Sequence, residues 1–174
     1  MIFRLSQKLN TKIKAGTLRA VPLEKNPLVD WSAHLFVVDR TQYILLSNTK
    51  SLYSMVMFGS GITNDSRFIE RALNNIREYM EADGLEFVYH RFIVPASSSV
   101  GFAKALDRSV TGSMNDLINH ATVWLAQGDF APFEVGFRLN DILLSALAPS
   151  GCSYGIPREA LRALVSGVDF RRSR

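Results

Sequence analysis

Two periods of hydrophobic and polar residues alternate along this chain, and they mark out most of its elements. Met1 to Leu5 is a short apolar opening that reads as a strand. Leu5, Leu9 and Ile13 then fall four apart among Lys8, Lys12 and Lys14, the pattern of a short amphipathic helix, with Gly16 as its stop. Residues 17–30 carry Pro22, Pro27 and several charges and read as a loop. The runs His34–Val38 and Tyr43–Leu46, joined by Asp39-Arg40-Thr41-Gln42, predict a β-hairpin. Leu52 to Phe58 is long enough for a strand, although periodicity leaves a helix open.

Asn64 or Asp65 can cap the clearest helix, whose buried stripe is Phe68, Ile69, Ala72, Leu73, Ile76, Tyr79 and Met80, and which Asp83-Gly84 ends. Phe87, Tyr89, Arg91 and Ile93 alternate with Val88, His90, Phe92 and Val94. This is the best strand pattern in the chain, closed by Pro95. Val100, Phe102 and Lys104 suggest one more strand. A second clear helix runs from about Ser113 to Gln127, ended by Gly128. Another follows with Pro132 in its first turn, and a last one begins at Pro157. Strand and helix runs are segregated rather than strictly alternating. That predicts a single α+β domain over residues 1–167, a mostly antiparallel sheet with helices packed on one face, and a basic C-terminal tail over 168–174.

Length and charge narrow the class. A chain of 174 residues buries roughly 70% of its unfolded surface and needs no metal or disulfide to fold. Of the net charge of +4, three belong to Arg171, Arg172 and Arg174, which leaves the body near +1. A nucleic-acid footprint would therefore have to come from local clustering or from the tail. The single cysteine, Cys152, lacks a CxxC neighbour and reads as a bystander thiol. The N-terminus lacks the features of a signal peptide, and no stretch approaches the ~20 apolar residues of a membrane span, so the expectation is a cytoplasmic protein with no membrane partner.

The richest chemistry lies in Arg108-Ser109-Val110-Thr111-Gly112-Ser113-Met114-Asn115-Asp116, just ahead of the second clear helix. Ser109, Thr111 and Ser113 can each cap that helix. Gly112 permits a close backbone approach, and helix starts attract anions. Lys104 and Arg108 can close around a phosphate or carboxylate, Asn115 adds a directional amide, and Arg91 can approach from a strand. The competing account is a tight turn whose hydroxyls satisfy its own backbone. Asp116 and His120 lie four apart and share a helix face, which permits an acid/base pair or a plain surface pair. His34, beside Trp31, most simply begins a strand. No P-loop, G-x-S-x-G, HExxH or G-x-G-x-x-G motif is present, and no cofactor or metal is called for.

Several segments carry a resemblance. They are Met1–Leu5 with Lys8 and Leu9, Trp31 before His34-Leu35-Phe36, Asp39-Arg40, Ser47-Asn48-Thr49 with Ser51-Leu52-Tyr53-Ser54, and Arg108–Asp116. Over residues 1 to about 145 the chain resembles a bacterial family of short proteins known as a conserved domain of unknown function. That resemblance implies membership and no activity.

The residues point to a small regulatory binding module that holds an anionic group at the Arg108–Asn115 turn: a nucleic-acid phosphate, a nucleotide or a partner's carboxylate. The alternatives are a hydrolase or transferase using Asp116 and His120, and an oligomerisation or protein-interaction module presenting the 51–58 run with Met55, Met57 and Phe58 as an apolar patch.

Overall fold

Strand β1 (Ile2–Leu5) buries Phe3 and Leu5 on one face and Arg4 on the other. It stands near the middle of a five-stranded sheet with the order β4-β3-β2-β1-β5. The computed structural model describes the backbone of residues 1–151 and 153–172 and the side chains up to residue 167 other than that of Cys152. Cys152, residues 173–174 and the side chains of Arg171 and Arg172 lie outside the described part.

After β1, Ser6 turns the chain into α1 (Gln7–Ile13), its hydroxyl accepting the Leu9 N–H. The helix stops at Lys14, which adopts the left-handed conformation (φ 57°), two residues before the glycine expected to end it. β2 (Asp30–Val38), β3 (Thr41–Asn48) and β4 (Ser54–Phe58) form an antiparallel meander. Thr41 and Gln42 join the ladder, so the hairpin connection tightens to Asp39-Arg40. Both have positive φ (45° and 67°), as a two-residue hairpin turn of the I′ kind requires. β5 (Gly101–Lys104) lies on the other side of β1, which runs parallel to both β2 and β5. The chain is thus a single α+β domain on a mostly antiparallel sheet.

Helices cover both faces of that sheet, not one. On one face α1 and α2 (Asp65–Ala82, capped by Asn64) pack Leu9, Ile13, Phe68 and Ile76 against Phe3, Trp31, Ile44 and Met55. On the other, α5 (Arg108–Gln127) and α6 (Pro132–Leu139) set Met114, Leu117 and Val135 on Phe36, Leu45 and Val56. The cause is local. Leu45 lies between Ile44 and Leu46, and Val56 between Met55 and Met57, so β3 and β4 are apolar on both sides. The 51–58 run is consequently core. Met55 and Met57 are buried, and Phe58 is its one exposed residue.

The stretch with the best strand alternation is helical. It comprises α3 (Glu86–Val88), a π-helical turn (Tyr89–Ile93) and α4 (Val94–Ala96). Val88, Phe92 and Ile93 enter the core together, a helical spacing that the alternating pattern concealed. Packing against α2 decides between two periods that the residues satisfy almost equally.

The outer edge of β4 is closed by side chains. Asn140 accepts from the Ser54 N–H at 2.6 Å and donates to the Ser54 carbonyl at 2.9 Å, as a neighbouring strand would. The Tyr79 hydroxyl accepts from the Val56 N–H and donates to the Phe133 carbonyl at 2.8 Å. α7 (Pro157–Arg172) crosses residue 168, the expected start of a tail. Arg158 near its start lies over Phe137 at 4.4 Å and pairs with Asp83 and Asp141. No helix among the described residues is long and apolar enough to cross a membrane.

Candidate binding cleft beside strand β2

β1 and β2 differ in length, and that difference makes the cleft. The Ser6 N–H donates to the Ala33 carbonyl at 3.0 Å, and there the β1 side of the pairing ends. β2 continues to Val38. The start of α1 flanks the overhang on one side and α5 on the other. They leave a cleft of about 560 Å³ lined by Ser6, Gln7, Lys8, His34, Leu35, Phe36, Val37, Asn115 and Ile118.

His34 is the residue that sequence reasoning passed over. It sits on the α5 face of β2, opposite Leu45, and is only 9% exposed. Among the described residues its imidazole has no hydrogen-bond partner. Burial pushes its pKa below the ordinary histidine value, so the ring is neutral at pH 7 and offers one N–H donor and one acceptor. Lys8 and Asn115 are exposed and contribute a cation and an amide, and the lining holds no carboxylate. Such a set can hold a carboxylate or phosphate by charge and directed N–H groups.

The segment Arg108–Asn115 is helix throughout rather than a turn before one. Asp107, not Ser109, Thr111 or Ser113, caps α5, with Oδ1 accepting the Val110 N–H at 2.9 Å. The anion that this helix start favours is therefore the chain's own carboxylate. The Thr111 and Ser113 hydroxyls donate to the Asp107 and Ser109 carbonyls, each at 3.0 Å. Gly112 is exposed, and a Cβ there would meet nothing within 4 Å, so no close backbone approach is needed.

The other expected residues are dispersed. Arg108 is exposed on the first turn of α5. Ser109 and Ser113 line a smaller cleft of about 200 Å³ with Thr49 and Lys50. Beneath it, hydroxyls pair with one another, Ser32 with Thr49 at 2.9 Å and Ser47 with Ser54 at 2.6 Å. Lys104 is exposed at the end of β5. Arg91 belongs to the π-helical turn, with its guanidinium 5.4 Å from the Phe92 ring. Asn115 alone of the expected ligand set reaches the cleft beside His34. Asp116 and His120 are both exposed and line a separate hollow of about 300 Å³ with Asn119, Ser145 and Tyr154. Among the described residues no hydrogen bond joins them. No group of three or more potential metal ligands occurs among the described residues.

The missed signal was weak but physical. The apolar run after Trp31 is longer than the N-terminal one, so one strand had to outrun the other. Where it would do so depends on register.

The chain belongs to the family described as a domain of unknown function (DUF6933), whose model matches residues 2–160, from β1 into the first turn of α7. No curated protein matches the chain, and no solved structure does.

Proposed function

We propose that this protein is a binding module that holds an anionic group in the cleft between α1, β2 and α5. The observation that carries this reading is His34. The residue is largely buried, its imidazole has no partner among the described residues, and it lines a space with Lys8 and Asn115 but no carboxylate. An imidazole that the protein's own groups leave unclaimed keeps one donor and one acceptor for a ligand in a largely sheltered place. In this reading Lys8 supplies charge, Asn115 an amide donor, and His34 the discriminating hydrogen bond. The anion site expected along Arg108–Asn115 thus moves one face around α5, keeping Asn115 as its contribution from that segment.

The test is NMR titration of the full chain with acetate and with inorganic phosphate, read at the His34 ring. Saturable shifts that Lys8→Ala or Asn115→Ala weakens severalfold are the expected result. A His34 ring that stays unmoved through tens of millimolar of both anions, at an ionic strength held constant, would refute the reading. Acetate acting more strongly than phosphate would mark a carboxylate site, and the reverse order a phosphate site.

A further inference from the structure

We infer that the ligand of this cleft is the C-terminal end of an extended peptide, added as a strand to the open edge of β2. The inference rests on the anion reading above and names its source. In a strand, successive residues direct their backbone N–H and C=O groups to opposite sides. The Asp30 carbonyl accepts from the Thr49 N–H on the β3 side, whereas the Ala33 carbonyl accepts from Ser6 on the β1 side. By that alternation Leu35 and Val37 aim their backbone groups away from β3, into the space that β1 has vacated. Both residues line the cleft, and Val37 is 57% exposed. A peptide lying about 4.8 Å from β2, in line with β1, would bond to both of them.

Sterics and charge then choose the peptide's end and direction. The slot is closed at one end by the chain itself, where Leu5 passes into Ser6, so an added strand must terminate there. Parallel to β2, it would bring its amino terminus against Lys8. Antiparallel, it brings a carboxylate to Lys8 in a lining with no acidic group to oppose it. Phe36 and Ile118 give the α5 wall an apolar character. The residues next to the carboxylate should therefore be β-branched or aromatic.

The probe is a pool of acetylated tetrapeptides, each position randomised over Val, Ile, Leu, Phe, Thr and Ser, made once as free acids and once as C-terminal amides. Both are titrated into the isotope-labelled full chain. With the acids, the amides of Leu35 and Val37 should shift and exchange more slowly with solvent. The amide pool should bind at least about tenfold more weakly, and Lys8→Ala should abolish that preference. If acetate moves His34 but the acid pool leaves Leu35 and Val37 unchanged, the peptide inference fails while the anion reading stands. If acids and amides act equally at this edge, the carboxylate assignment is wrong. If neither pool nor acetate has an effect, both readings fall. Shifts at Leu35 and Val37 that follow protein concentration alone would show that a second copy of the chain takes the edge, which overturns the inference.

Discussion

The guanidinium of Arg4 grips the carboxylate of Asp30 through two parallel hydrogen bonds, Nε to Oδ1 and Nη2 to Oδ2, each 2.8 Å long, and both side chains are completely buried. The pair joins neighbouring strands β1 and β2. Its remaining capacity holds the preceding loop: Arg4 also donates to the carbonyls of Val21 and Pro22, and Asp30 accepts the Glu24 N–H. Breaking such a pair leaves one charge buried alone. Arg4→Met should therefore lower unfolding free energy by about 3–5 kcal/mol, measured by urea denaturation. The double variant Arg4→Met with Asp30→Leu should recover much of that loss. A double variant no better than the single one would show that the loop contacts, not the charge pair, carry the stability.

Two glycines should respond oppositely to alanine. Gly136 in α6 lies so close to β4 that a Cβ would come within 2.2 Å of the Tyr79 hydroxyl and 2.5 Å of the Val56 nitrogen. Gly136→Ala must push the helix off the strand edge, at a cost of about 1–3 kcal/mol. Gly112 is exposed inside α5 with open space where its Cβ would be. Gly112→Ala should stabilise the protein by about 0.5–1 kcal/mol. Thermal melts of the two variants decide it. A destabilising Gly112→Ala would mean that this segment needs glycine's freedom after all.

Asn140 stands in for a missing strand at Ser54. Asn140→Leu strands a buried N–H and a buried carbonyl together. The expected loss is about 1–3 kcal/mol for each unpaired group, against a smaller loss at an exposed amide such as Asn74. Equal effects at the two sites would remove the edge-capping role.

His34 makes a prediction about pH. Its folded pKa is held below the ordinary value by burial, so between the two the unfolded chain binds more protons than the folded one. Stability from this group is complete above the unfolded value near pH 6.5 and is lost as pH falls through the lower folded value. Urea melts at pH 7.5 and 5.5 should show a loss on acidification that His34→Gln reduces. A bound anion favours the protonated ring, so acetate affinity should rise over the same interval. An unchanged pH dependence in His34→Gln would place the sensitivity elsewhere.

What the amino-acid order determined is local. Helical stripes placed α1, α2 and α5, because residues three and four apart share a face whatever the rest of the chain does, and Pro132 and Pro157 marked the starts of α6 and α7. Two β-branched and aromatic runs joined by a short polar connection announced the hairpin, which is equally local. The polar composition of Arg108–Asp116 was also legible, but not that this segment is itself the first turns of α5. Tertiary structure decided the rest. The 86–96 stretch satisfied two periods, and only the burial of Val88, Phe92 and Ile93 chose the helix. Asp107 won the cap from three hydroxyls, and helices went to both faces because the centre of the sheet is apolar on each. The cleft itself is a matter of register between Leu5 and Ala33, residues far apart in the chain. A strand's length can be read from its own sequence, but where its neighbour stops is set by pairing. Whether His34 finds a partner likewise depends on what packs opposite it.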